Sequence, residues 1–223
     1  MKFSLAQRSA AEFLGTAFLV GAVVGSGIMA ERLAAGSIAL ALLANTIATG
    51  AALVALILTL APISGAHMNP VVTLSSASTG AFPWSEMPHY LLSQFFGGAA
   101  GTVMAHLMFG LPLVSLSHHA RGGSAQVFSE FVATFGLLAV IHGSARRGDS
   151  TVVAVAVGSY ITAAYWFTAS TSFANPAVTL ARSLSDTFSG IQPANVPLFV
   201  AAQLAGGAAA TLLFRRLSGP RTN

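Results

Sequence analysis

Asn69-Pro70-Val71 and Asn175-Pro176-Ala177 each place an amide side chain and a proline where a helix is expected to begin. Asn is a favoured N-cap, because its side-chain oxygen accepts a backbone N–H of the first turn. Pro suits the next position, where its missing N–H costs nothing and its φ is already helical. An Asn that caps with its oxygen leaves its NH₂ donors free to point elsewhere. The helix behind it adds about half a positive charge at that end. Two such caps facing each other inside a membrane make a small, dry, electropositive spot with two amide donors. A single Asn-Pro is an ordinary cap. What singles these out is the longer match between His67-Met68-Asn69-Pro70-Val71-Val72-Thr73-Leu74 and Phe173-Ala174-Asn175-Pro176-Ala177-Val178-Thr179-Leu180.

The rest of the chain supplies a membrane for those caps. Its 223 residues are 54% hydrophobic and 7% charged, with a mean hydropathy of +0.74. Soluble domains carry about 25% charged residues. The formal charge of +4 is scattered over segment ends, which argues against nucleic-acid binding. With no cysteine there is no disulfide, thiolate metal site or Cys nucleophile. Six apolar segments are expected near 10–30, 37–61, 88–110, 127–146, 151–170 and 194–216. Glu12 and the Gly/Ala-rich pattern after it favour a retained first helix over a cleaved signal. Leu33 to Ser85 and Ser150 to Ala181 contain no Asp, Glu, Lys or Arg and are too long for one span each. Each is expected to hold a span, a turn and a half-helix starting at Asn69 or Asn175. The approach Ala61-Pro62-Ile63-Ser64-Gly65-Ala66-His67 reads as irregular backbone, tolerated at membrane depth only where it is buried in protein or lines a cavity.

Lys2, Arg8, Arg146, Arg147, Arg215, Arg216 and Arg221 fall on one side of a six-span arrangement, and only Arg32, Arg121 and Arg182 fall elsewhere. The positive-inside rule then puts both termini in the cytoplasm. Ala11-Glu12-Phe13-Leu14 matches Ser129-Glu130-Phe131-Val132, and Gln94-Phe95-Phe96-Gly97-Gly98 matches Gln203-Leu204-Ala205-Gly206-Gly207. These landmarks define two repeats, roughly 1–115 and 125–223, within one transmembrane domain spanning 1–223. Three spans per repeat is odd, so the repeats are inverted and bring the two Asn caps together near the midplane.

A duplicated, inverted unit of three spans plus an Asn-Pro half-helix resembles the major intrinsic protein family, the aquaporins and aquaglyceroporins. The resemblance covers essentially the whole chain. It implies an all-α membrane protein of six transmembrane helices and two re-entrant half-helices, with one pore per subunit and usually a homotetramer. It implies a passive channel rather than an enzyme, with no cofactor or metal. At the family's filter spacings stand Thr49, Ala163, Ser172 and Val178. Water-selective members usually carry an aromatic, a His, a small residue and an Arg there, and Val178 replaces the Arg. Arg182, one turn further on, is set aside as a substitute. The chain is also similar to the bacterial branch linked to arsenic resistance, which implies trivalent arsenic species, methylated forms included, and glycerol as solutes, with some water, across the bacterial inner membrane.

Glu12 and Glu130 lie at span edges, where ionisable groups are costly and often functional. Proton coupling is one reading. Holding the backbone N–H groups of a re-entrant loop is the favoured one. His67 is expected to line the cytoplasmic vestibule. His142 is assigned no role. His118, His119 and Arg121 read as a solvated loop, since two adjacent His without further ligands are a weak metal signal. Gly21, Gly25, Gly97 and Gly101 have the spacing of close helix packing. The competing readings are a water-selective pore and a proton-coupled secondary transporter.

Overall fold

The computed structural model describes residues 2–217 of the protein, so Arg221 of the orientation argument lies outside the described residues. The helices are α1 (Leu5–Leu33), α2 (Ile38–Ser64), α3 (Pro70–Ser78), α4 (Met87–Phe109), α5 (Ser124–Ala145), α6 (Ser150–Phe167), α7 (Pro176–Arg182) and α8 (Val196–Leu217). Six are long and two are short, as the sequence leads one to expect. Five of the long helices have the length and apolarity to cross a membrane. Helix α4 has 23 residues but carries His89, Gln94 and His106.

Local chemistry accounts for the helix ends. Ser4 and Gln7 form a capping box at the start of α1. Asp149 caps α6 through the Thr151 N–H at 2.7 Å. Helix α2 runs through Pro62 and stops at Gly65, whose φ of 88° ends it in the left-handed region. The irregular stretch is therefore shorter than the sequence suggests. Pro62 falls in the last turn, where it removes only one hydrogen bond before the helix ends.

The two halves pack alike. Helix α1 lies against α4 and α2, as α5 lies against α8 and α6, while α2 meets α6 across the middle. A Cβ on Gly97 would collide with the Phe13 carbonyl, and one on Gly206 with the Phe131 carbonyl. These two glycines bring α1 onto α4 and α5 onto α8 at backbone contact. Gly101 does the same against the Ala17 carbonyl, but Gly25 has ordinary room, with Phe109 at 3.5 Å.

The connection between the halves is tied down from both sides. His106, buried in α4, meets the Pro112 carbonyl with Nδ1 at 2.6 Å and Ser185 Oγ with Nε2 at 2.8 Å. A carbonyl only accepts, so Nδ1 carries a proton and donates to it. The exposed His118 supplies its backbone N–H and ring to Asp186, holding that carboxyl below its usual range. Arg121, read from the sequence as solvated, is instead buried. Its Nε donates to the Gly190 carbonyl at 2.7 Å, and its backbone N–H donates to Asn195 Oδ1 at 2.9 Å.

Gly97→Val and Gly206→Val should each lower the folded yield and the thermal midpoint in detergent, by about 3 kcal/mol or more, because backbone must move. Gly25→Ala should be neutral or stabilising by up to about 1 kcal/mol. Equal behaviour of all three would contradict this packing.

Candidate functional site

The two half-helices meet end to end, N-terminus to N-terminus. Asn69 caps α3 by accepting the Val71 N–H at 2.9 Å, and Asn175 caps α7 by accepting the Ala177 N–H at 3.0 Å. Each then donates across the junction. Asn69 Nδ2 reaches the Ala174 carbonyl at 2.8 Å, and Asn175 Nδ2 reaches the Met68 carbonyl at 2.7 Å. Only part of the expected donor capacity is therefore free. Each NH₂ has two hydrogens, and one is committed to the opposite loop.

The loops before each Asn adopt backbone that most residues avoid. Ala66 and Met68 in the first loop, and Thr171, Ser172 and Ala174 in the second, have φ between 46° and 62°. Each such residue costs roughly 1–2 kcal/mol. One carboxylate per loop offsets this. Glu12 accepts Ser64 Oγ (2.7 Å) and the His67 N–H (2.9 Å) on Oε1, and the Met68 N–H (2.6 Å) and Gln94 Nε2 (2.8 Å) on Oε2. Glu130 repeats the set with Ser170 Oγ (2.6 Å), the Phe173 N–H (2.9 Å), the Ala174 N–H (2.9 Å) and Gln203 Nε2 (2.6 Å). Both carboxylates are fully buried. Hydrogen bonds to a charged group contribute about 1.5–3 kcal/mol each. Gln94 and Gln203 are held in turn by Thr73 and Thr179.

A cavity of about 300 Å³ runs along these loops. The two loops line it from Gly65 to Asn69 and from Ser172 to Asn175, bringing the polar side chains of His67, Asn69, Ser172 and Asn175. The helices add mostly aliphatic side chains. Thr49, Leu53, Ile57 and Ala61 line the cavity from α2, and Val153, Val157, Ile161 and Tyr165 from α6. Both sets repeat every fourth residue, the period of one helix face.

Most of the expected site residues lie on this cavity. Thr49, His67, Asn69, Ser172, Asn175 and Val178 all line it, and Pro70, Val71, Pro176 and Ala177 are buried behind them in the first turns of α3 and α7. Ala163 does not. It is exposed on the outer face of α6, because two residues along a helix is about 200° around it. Tyr165 stands on the cavity instead, with its hydroxyl 3.3 Å from Thr49 Oγ1. The cavity thus has an aromatic on α6 that the filter spacing omitted. Ser172 Oγ is buried with no partner among the described residues. His67 sits edge-on to Phe82 and Tyr90, with Nδ1 3.1 Å from Thr73 Oγ1. His142, given no role from sequence, bonds Ser75 of α3 at 3.0 Å beside a wider opening of about 560 Å³.

The model of the major intrinsic protein family matches residues 1–169 and 148–223. The chain belongs to that family. As a major intrinsic protein it is a channel and not an enzyme. It is 54% identical to "Aquaglyceroporin AqpS" of Rhizobium meliloti (strain 1021) over 98% of this chain and 93% of the relative. It is 33% identical to "Aquaporin NIP1-4" of Oryza sativa subsp. japonica over 100% of this chain and 82% of the relative. Its fold matches the X-ray structure of the aquaglyceroporin from Plasmodium falciparum with a TM-score of 0.77 at 21% identity, covering 97% and 98% of the two chains.

Glu12→Gln and Glu130→Gln should each lower folded yield and thermal stability, by about 2–5 kcal/mol, while any folded fraction keeps wild-type solute selectivity. A Gln turns an NH₂ toward backbone N–H donors on one side of its amide. Normal stability with abolished flux would favour proton coupling instead.

Proposed function

We propose that this major intrinsic protein is a passive pore for small uncharged solutes, with glycerol and arsenous acid as its substrates, methylated arsenicals included, and some water. The observation that carries this reading is Val178, which puts an uncharged aliphatic side chain on the cavity that Thr49, Tyr165 and Ser172 also line. The two Asn amides share the cavity with Leu, Ile and Val side chains, which suits a solute with hydroxyls on one edge and a less polar body. Arsenous acid is neutral at pH 7 and presents hydroxyls much as a polyol does. The naming of the Rhizobium meliloti relative as an aquaglyceroporin supports glycerol.

In this reading Asn69 and Asn175 each give their remaining N–H to the passing oxygen, and Glu12 and Glu130 are loop anchors. The single domain 1–223 sits in a bacterial inner membrane with both termini cytoplasmic. It assembles as a homotetramer in lipid, with no cofactor, metal or nucleic acid. Tyr165 favours a second reading, a water-selective pore, because its ring and its contact with Thr49 narrow the constriction. Proton coupling has less behind it, since both buried glutamates already accept four hydrogen bonds each.

Stopped-flow light scattering on proteoliposomes separates the readings. Wild type should conduct glycerol and arsenite without saturation and without response to a proton gradient. Val178→Arg should cut both fluxes about tenfold and water less, since a hydrated guanidinium then fills the hole. A wild type that passes water but neither larger solute would establish the water-selective reading.

Asn175→Asp places a carboxylate at the junction and removes the donor to the Met68 carbonyl. Sodium and proton conductance of the folded variant should rise about tenfold. A variant as tight as wild type would refute the role of the paired amides.

A further inference from the structure

Arg182 is 2% exposed, yet among the described residues no carboxylate pairs with it. An unpaired charge taken out of water is costly unless something else solvates it. The structure shows what holds this one. Its Nε donates to the Ser189 carbonyl, and its Cζ lies 3.4 Å from the centre of the Phe173 ring. Phe173 is itself fixed, edge-on to Phe199 at 5.3 Å and with its backbone N–H on Glu130. The stem and one face of the guanidinium are thus locked.

The other two nitrogens differ. Among the described residues no acceptor meets Nη1 or Nη2, and neither belongs to the sealed, partnerless polar atoms. Arg182 lines the cavity. Its fork of N–H groups therefore opens on the pore. Arg121 gives the contrast. It also approaches Phe173, at 5.1 Å, but its Nε, Nη1 and Nη2 all donate to the Gly190, Ser170 and Phe188 carbonyls. One arginine is committed to the fold, and the other has donors left over.

The position along the pore matters as well. Val72 and Val178 hold the same place in the two halves, and both line the cavity. One turn further from the junction, about 6 Å along each half-helix, the halves diverge to Ser76 and Arg182, again both on the cavity. Of these two matched positions only the second carries a charge. Helix α7 has seven residues, so its aligned peptide dipoles are few and a full charge outweighs them.

We infer that Arg182 is the specificity-determining cation of this pore, a turn outward from Val178, where its charge repels cations and its free Nη groups orient the hydroxyls of passing neutral solutes. The part concerning solutes rests on the proposed function; the part concerning cations does not.

The test uses the full chain in liposomes, as wild type, Arg182→Met and Arg182→Lys, each checked for monodispersity and thermal unfolding. Met keeps the stem without the charge. Lys keeps the charge without the planar fork. Arg182→Met should raise sodium and proton leak about tenfold. Arg182→Lys should stay tight to both cations while its ratio of glycerol to urea flux falls about threefold, since urea offers no pair of hydroxyls to the fork. A folded Met variant as tight as wild type overturns the inference. So does a Lys variant that leaks like Met, because then packing rather than charge excludes cations. If Met does not fold, an unchanged glycerol to urea ratio in Lys overturns it alone. A wild type that carries no neutral solute, with a leaky Met variant, sinks the proposed function and leaves the cation barrier standing.

Discussion

A carboxylate inside a helical bundle is stable only when its lone pairs are used, and Glu12 and Glu130 use theirs to shape two stretches of chain. Each binds two consecutive backbone N–H groups, a serine hydroxyl and a glutamine amide. Two successive N–H groups converge on one carboxylate only if the backbone kinks, and the left-handed residues around His67 and Phe173 are that kink. The kink halts the chain at the junction of the half-helices and turns the next residue into a helix cap. Without the buried charge there is no reason for Ala66 or Ala174 to hold a φ of 48°.

The asparagines then do two jobs. Each caps its own half-helix and donates to the carbonyl preceding the other's cap. The junction is therefore reciprocal: a shift of one half-helix strains the cap of the other. Close contact between α1 and α4, and between α5 and α8, lets Gln94 and Gln203 reach in to the same carboxylates. Packing, charge and cap act on one small volume.

Much of this was legible because the chain states it twice. Asn69 and Asn175, Glu12 and Glu130, and the Gln-Gly pairs are recognisable by repetition alone, and Ser64 and Ser170 or Thr73 and Thr179 were there to be read at the same offsets from the two Asn. Ala163 failed because a count back from Asn175 crosses the irregular turn at 168–174, where helical spacing no longer holds. The every-fourth pattern Val153, Val157, Ile161, Tyr165 was the better guide, since it follows the face of α6 itself. Arg121 failed for another reason. It lies among Gly, His and Ser between two repeats, and no local pattern says that this stretch folds back onto Gly190 and Asn195. Burial of that kind depends on contacts far apart in sequence.

The two halves agree where the backbone must be held and differ where a solute would be met. Ser64 and Ser170, Thr73 and Thr179, and the two carboxylates make matching bonds, so the frame tolerates little variation there. His67 and Phe173 occupy one position of the repeat, and Ser76 and Arg182 another; all four line the cavity. On one side an imidazole packs edge-on against Phe82 and Tyr90, which also touch each other, and on the other a guanidinium lies on an aromatic face. The residue at the position of His67 and Phe173 lines the cavity in both halves while the carboxylate holds its backbone N–H. Its identity is therefore free of the constraint that fixes its backbone. A channel built this way separates the residues that hold its backbone from those that line its cavity, which is why Val can stand at 178 without disturbing the cap three residues before it.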